Sequence, residues 1–431
     1  MRPCASGIDV LPRQVPAALA AFLLLACAAA CAPETRRSLL DVSAGPGADA
    51  AVPDRPDAGG PMADGGPSSD GGPAEDGGDA GRPDAGGEDA GTHLTLSVDL
   101  EDTQHRFLAV DPAGVVYAAA FEASGVLVAS SDRARTFVPR GTLPPGTEFF
   151  MMAYFGGGTL LAQVQESDGY HLARSSDHGA SWSDVRALGN YYGLSAHSFG
   201  ELDGTAYFIE YQVFTRNDAA IHLHASTDGG RTWTTRYTFN GHRHAHGMMA
   251  DPVRHVLWAW FGDTDAQSGT YRSTDGGFTW TLMQGGQEGD VVDAEVLPDG
   301  DLLFGQDISF LPDLPGVARV GRAGGYTLLQ QIPGPAYSTH AIGSGGFVVG
   351  AAREANGDLY PPGEVSAHLL GSVDGLTWDD LLSFPRANPN EDVRADVYWE
   401  LPSGELVLEL RNAAGIGPYS VGFQLLRVGR R

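Results

Sequence analysis

From residue 92 onward the chain alternates short apolar runs with turns rich in Gly, Pro and Asp, and no apolar positions recur at a helical period. Side chains of a strand point to opposite faces in turn, so runs of this length and alternation predict half-buried β-strands. The first such group predicts strands over 106–110, 115–121, 126–130 and 136–143, the first two joined by the turn Asp111-Pro112-Ala113-Gly114. Equivalent turns recur at Gly156-Gly157-Gly158, Leu202-Asp203-Gly204, Asp251-Pro252, Leu297-Pro298-Asp299-Gly300, Gly343-Ser344-Gly345-Gly346 and Leu401-Pro402-Ser403-Gly404. Seven such turns imply seven four-stranded units.

A second signal sets the period. Ser273-Thr274-Asp275-Gly276-Gly277-Phe278-Thr279-Trp280 has near copies at Ser226–Trp233 and Ser175–Trp182. A shortened copy begins at Ser372, and a decayed one at Ser130 has Ala134 in place of Gly and Phe137 in place of Trp. The starts are spaced 45, 51, 47 and 99 residues apart, and the double interval implies a unit whose motif is lost near 319–325. In this motif the Asp carboxylate takes backbone N–H groups of a tight turn, Gly adopts positive φ, and Trp buries a large apolar surface. Its aspartates are therefore struts, and catalysis is not assigned to them. After Leu401 only 405–410 and 421–428 remain as strands, so the last unit lacks one, which the strand at 93–100 supplies. Closure by a terminal strand removes a sticky edge. The expected architecture is all-β, a single seven-bladed β-propeller over 92–431, with six or eight blades as the alternatives.

The motif, Ser-x-Asp-x-Gly-x-Thr-Trp, resembles the Asp box (BNR repeat) of bacterial sialidases and other propellers. Sialidases grip a carboxylate with three arginines, use a Tyr nucleophile activated by Glu, and carry Phe/Tyr-Arg-Ile-Pro near the start of six blades. Here the first blade reads His105-Arg106-Phe107-Leu108, and seven blades are expected, so an active sialidase is disfavoured. Xyloglucan hydrolases resemble the chain in blade number but pair two propellers around a cleft, with two carboxylates at a set separation. Photosystem II assembly propellers are similar in size but use an Arg-rich patch that this acidic chain lacks.

Ahead of the propeller the composition changes. Arg2 and Arg13 precede an apolar run over 15–26, the layout of a secretory signal and too short to span a bilayer. The run ends in Leu24-Leu25-Ala26-Cys27, which looks like a lipobox and implies lipidation at Cys27, with Cys31 the alternative. Residues 1–31 are thus read as a signal peptide with lipobox, and 32–91, built of Asp, Gly, Ala and Pro, as a disordered acidic tether. All 3 cysteines fall in the leader, so the folded part has no disulfide and no Cys-ligated metal. The formal net charge is −27, and none of the basic residues is lysine. That excludes Schiff-base chemistry and argues against a nucleic-acid partner. The expected location is the cell envelope, lipid-anchored at the outer membrane or cell surface, with plain secretion the alternative. Contact with the membrane is through the lipid alone, and a monomer is expected.

Candidate chemistry lies on the inner strands, which line a propeller's channel. His242-Arg243-His244-Ala245-His246 is the richest piece: His244 and His246 share a face and form, with His197, His340 and Asp293 nearby, a candidate divalent-metal or acid–base cluster. Hydrogen-bonded histidines in a wet channel are the plain alternative. The candidate catalytic groups are His246, His340, Asp293, Glu295 and Tyr398, and the candidate ligand-binding groups are Arg106, His197, His244, Asp263, Asp307 and Arg394. Asp263 and Asp307 enter through a local resemblance. His244-x-His246-Gly247, Asp251-Pro252, Leu257-Trp258-Ala259 and Gly262-Asp263 are similar to a group of exported Asp-box propellers, with Asp307 at the matching place one blade on. That resemblance covers about two blades and names no ligand. Tyr191, Tyr192, the 258–260 region and Tyr398-Trp399 are candidate aromatic platforms for sugars. The function these features suggest is recognition of an extracellular ligand, most readily a carbohydrate or another cell-surface molecule. A polysaccharide hydrolase or lyase is the alternative.

Overall fold

The computed structural model describes residues 92–215, 217–309, 313–355 and 363–431; the leader with Cys27 and Cys31 and the acidic tether lie outside them. The described strands make seven four-stranded antiparallel sheets, six of them in sequence order. Each sheet is one blade of a seven-bladed propeller. The inner strands are His105–Val110, Glu148–Tyr154, Phe199–Leu202, Ala245–Asp251, Val291–Val296, Ala336–Ala341 and Arg394–Glu400. Blade one follows the sequence pattern closely, with strands His105–Val110, Val116–Ala120, Val126–Ser130 and Val138–Thr142.

Blade seven closes the ring. Its outer strand, Leu94–Asp102, comes from the start of the propeller and pairs antiparallel with Val421–Arg430, from Leu94 opposite Arg430 to Asp102 opposite Phe423. Beyond that ladder His93 and Arg431 exchange both backbone hydrogen bonds, at 3.1 and 3.0 Å. Leu94 is buried with Ile342, Val348, Leu406 and Leu426, so the closing strand also seals the core between blades six and seven.

The remaining apolar surface is buried between neighbouring blades. Leu108 and Tyr117 of blade one meet Phe149 and Leu160 of blade two, and Ile209 and Leu223 of blade three meet Leu257 and Phe261 of blade four. Trp258 and Trp260 face the other way, onto Val291 and Phe304 of blade five. Both indoles are fully buried, and Trp260 Nε1 donates to the Val292 carbonyl at 2.7 Å. They are core residues and not sugar platforms, a correction to the aromatic reading of 258–260. Trp399 is likewise committed, 4.8 Å from the ring of Phe107 between blades seven and one.

The repeated motif does the work expected of it. Ser273 Oγ donates to Asp275 Oδ1 at 2.8 Å and accepts from Gly277 N at 2.9 Å. Asp275 also accepts from Thr279 N and Thr279 Oγ1, at 2.9 and 2.6 Å, and Trp280 Nε1 donates back to the Gly277 carbonyl at 3.1 Å. Gly277 sits at φ 85° with Leu223 3.0 Å from where its Cβ would be, so both conformation and space require glycine. In the decayed copy Asp132 keeps its bonds to Ser130 and Thr136 although Ala134 occupies the left-handed position at φ 57°. Blade five has no motif, and the inner turn supplies the carboxylate instead. Asp301 accepts from Arg322 N at 2.9 Å and from Arg319 Nε at 2.7 Å, bracing the turn at 321–325 from the neighbouring loop.

The bond from Thr279 Oγ1, followed by that from Thr279 N, pulls the Asp275 carboxyl down to about 2. A folded value below the unfolded ~3.9 gives stability that is present above about pH 4 and is lost as pH falls through 2. Urea denaturation should therefore show Asp275→Asn weaker than the natural protein at pH 6, with the gap closing on acidification to pH 2. Ser273→Ala leaves the buried Gly277 N–H unpaired and should cost about 1–3 kcal/mol at pH 6.

Candidate functional site

Antiparallel alternation places the starts of all inner strands, and the ends of all second strands, at one end of the barrel, with the repeated motifs at the other. Most of the charged candidates gather at the first end; Glu295 and His340 lie near the second.

In blade four a bulge between Ala245 and Gly247 interrupts the pairing of the inner strand with Val256–Phe261. His244 and His246 share a face there, as their spacing predicts, and their Nε2 atoms lie 3.1 Å apart. His244 Nδ1 is 2.6 Å from the Gln212 carbonyl and His246 Nδ1 is 2.8 Å from the Val291 carbonyl. A carbonyl only accepts, so each Nδ1 donates there and each Nε2 is left to face the other ring and Asp263. Tyr211 stacks on His244, with centroids 4.0 Å apart and planes at 21°. Two residues past the second strand, Asp263 stands at φ 83° with Oδ2 3.1 Å from His244 Nε2 and Oδ1 3.6 Å from His246 Nε2. It is also ion-paired with Arg243. Burial opposes ionisation of Asp263, but the charge and hydrogen bond of His244, then those of His246, hold its carboxyl well below the usual range.

Two further carboxyls flank His246. Asp290 and Asp307 both come within 4.8 Å of it and of each other, counted between ligand atoms. Burial, joined by the charge of Asp263 on Asp290 and of Asp290 on Asp307, pushes both well above the ordinary carboxylate value. Gly262 makes the approach possible: a Cβ there would lie 2.2 Å from His246 Cε1 and 2.3 Å from Asp290 Oδ1. Among the described residues, the other group of this kind is Glu166, Asp168 and His171.

His197, Asp293 and His340 do not join this group, which corrects the single cluster expected from the sequence. The 3-10 turn Ala196–Ser198, capped by Ser195, carries His197 toward the axis, where Nδ1 contacts Asp293 of blade five. The second Asp293 oxygen accepts from Thr339 N of blade six at 2.9 Å. The Tyr398 hydroxyl of blade seven donates to the Tyr337 carbonyl at 3.0 Å, and its ring stands edge-on to His197. Burial, then the charges of Asp396 and Asp293, push the Tyr398 hydroxyl well up, so it is poorly suited to be a nucleophile. Asp396 is buried and its Oδ1 receives no hydrogen bond from the described residues. Burial raises its carboxyl to about 7, against the opposing pull of Arg394 and Arg411. Around this centre Arg106 lies 5.3 Å from the centroid of Phe150, and Arg394 4.1 Å from that of Tyr337.

His340 forms a third group, on the way to the far end. Its ring nitrogens are 3.4 Å from Glu295 and 3.9 Å from Glu400, ion-pair distances rather than tight hydrogen bonds. Burial lowers its value, but Glu295 and then Glu400 outweigh that and lift it to about 9.

Asp290 went unnoticed in the sequence, yet a signal was there. It immediately precedes the inner strand of blade five, as His244 precedes that of blade four. Arg411 and Glu409, 2.5 Å apart, lie on a second strand, outside the inner-strand positions that the sequence pattern directs to the channel.

No family model matches the sequence, and no curated protein matches it. Among solved structures the chain is similar to YCF48 bound to D1 peptide, at 12% identity over 77% of this chain and 96% of that one, with a TM-score of 0.46. It is similar to the GH74 enzyme of Niastella koreensis at 14% identity over 75% and 61%, TM-score 0.47. A third likeness is to U3-55K, at 12% identity over 77% and 98%, TM-score 0.47. At these identities the likeness is one of fold.

Two titrations check the electrostatics. His340 should remain protonated at neutral pH and titrate near 9 by imidazole NMR, and Glu400→Gln should lower that midpoint. Because folding raises it above ~6.5, its contribution to stability is complete below that pH and is lost as pH rises through 9. Asp396 has the opposite sign. A folded value of about 7 against ~3.9 unfolded costs stability progressively between those values, and in full above pH 7. Asp396→Asn should therefore raise the urea midpoint at pH 8 relative to the natural protein, and raise it much less at pH 4.

Proposed function

We propose that this protein is an exported, lipid-anchored propeller, modified at Cys27 or alternatively Cys31, that recognises an extracellular ligand at the inner-strand end of its channel, carbohydrate being the leading class. The supporting observation is the meeting of His197, Asp293, Asp396 and Tyr398 from blades three, five and seven around one axis. Donors and acceptors from several rigid strands converge there, as specific binding of a polar ligand requires. Asp396 offers a buried oxygen without a donor among the described residues, the kind of acceptor that a sugar hydroxyl satisfies. Arg106 over the half-buried Phe150 adds an apolar face beside a cation, a pairing suited to a sugar ring. In this reading the propeller acts as a monomer on a glycan or other cell-surface ligand.

One observation favours an enzyme, a hydrolase or lyase acting on polysaccharide. A carboxyl that titrates at about 7 is in the range of a general acid, and Asp396 has that value. Affinity electrophoresis against a polysaccharide panel, with an assay for released reducing ends, separates the readings. Retention without release is expected, and Asp396→Ala and Arg106→Ala should each weaken retention at least about tenfold, 1.4 kcal/mol. Release that Asp396→Asn abolishes would establish the enzyme, and unchanged retention in both Ala variants would remove the site from either reading.

A further inference from the structure

We infer that His244, His246 and Asp263 form a binding site for a divalent transition-metal ion of zinc type, apart from the channel-axis group and independent of the ligand reading. The first support is the geometry of the two rings. Both Nδ1 atoms are committed to backbone carbonyls, which leaves the two Nε2 atoms, 3.1 Å apart, as the ligand atoms that face each other and Asp263. A cation, whether a proton or a metal ion, is what two imidazole nitrogens at that distance require. A tetrahedral ion with metal–nitrogen bonds of about 2.0–2.1 Å holds its ligand nitrogens about 3.3 Å apart. The observed spacing is that of a coordination edge.

The carboxylate completes the triangle. Asp263 faces both nitrogens, at 3.1 and 3.6 Å, while also paired with Arg243, so a cation on one oxygen fixes the orientation of the other. A donor set of two imidazoles and one carboxylate selects a borderline ion over calcium or magnesium, which take oxygen ligands.

The outer layer is built as metal sites require. Carbonyls of Gln212 and Val291 fix both tautomers from blades three and five, and Tyr211 holds the His244 ring flat. Gly262 is the one residue at its position that lets His246 and Asp290 close in. Asp263, Asp290 and Asp307 bring three carboxyls to this corner, the first of them paired with Arg243. The cluster Glu166, Asp168 and His171 lacks these features: both ring nitrogens of His171 are already taken, by Asp184 at 2.9 Å and Asp168 at 3.0 Å.

The full chain, stripped with a chelator, is titrated with Zn²⁺ alone and separately with Co²⁺ as a spectroscopic probe. One equivalent should bind, Co²⁺ should give the absorption of a low-coordinate nitrogen-ligated ion, and Zn²⁺ should raise the melting temperature. His246→Gln and Asp263→Asn should each weaken binding by more than about 100-fold, beyond the 10–100-fold typical of outer-layer changes. Gly262→Ala should weaken it as well, and His171→Gln should leave it unchanged. Should His246→Gln fail to fold, Asp263→Asn, which keeps the side-chain shape, carries the comparison together with the cobalt spectrum of the natural protein. Absence of saturable binding, an all-oxygen cobalt spectrum, equal affinity in Asp263→Asn, or loss of binding in His171→Gln would each overturn the site.

Discussion

The pairing of Leu94–Asp102 with Val421–Arg430 is the contact on which the rest of this propeller depends. Blades contact their neighbours through buried apolar faces, and such faces slide unless something fixes the circumference. Closure by backbone hydrogen bonds between the two ends of the domain fixes it at seven blades. Once it is fixed, seven inner strands run in one direction around an axis, and side chains far apart in sequence have no choice but to meet. His197 touches Asp293 across the mouth because of this geometry, with the whole of blade four between them in the chain.

The same constraint explains why the histidines sort into separate groups. Those at the very start of an inner strand sit under the loops and become buried against the next blade. His244 and His246 are bound in this way to carbonyls of blades three and five. His340 lies further along its strand, between two carboxylates that compensate a proton, and it holds one. Burial opposes protonation of all three, and the partners decide the outcome: Glu295 and Glu400 outweigh it at His340, Asp263 outweighs it at His246, and His244 is left lowered.

Most of the fold was legible in the sequence because its signals are local. A turn needs Gly and Asp at fixed offsets, and a strand needs alternation, so blade number, the motif-free blade and the terminal strand all follow from spacing. Even Asp301, which braces the motif-free blade, stands in a turn that the sequence marks. The site was legible only in part. The proximity of His244 to His246 is a property of one strand and was readable. Asp263 was found through a resemblance and Asp290 not at all, because their convergence depends on the angle between blades and on Gly262 leaving room. The tryptophans misled for a related reason. Alternation says that Trp258 and Trp260 share a face, but whether that face meets solvent or the next blade is decided by the ring.

The aspartates of this chain show where function can reside. At the repeated motifs each carboxylate is saturated by backbone and hydroxyl donors and pulled down, to about 2 for Asp177 and Asp275. Such a group has no capacity left for a ligand. At the opposite end Asp396 has a buried oxygen with no donor from the described residues and is raised to about 7. A purely structural carboxyl in that place is costly, since an amide or an apolar side chain of similar size would avoid the desolvation. Asp177 and Asp275 are thus satisfied where the fold needs turns, and Asp396 keeps an oxygen without a donor from the described residues near the start of an inner strand. The recurring motif is accordingly a guide by exclusion: its aspartates hold turns and are not available to a ligand.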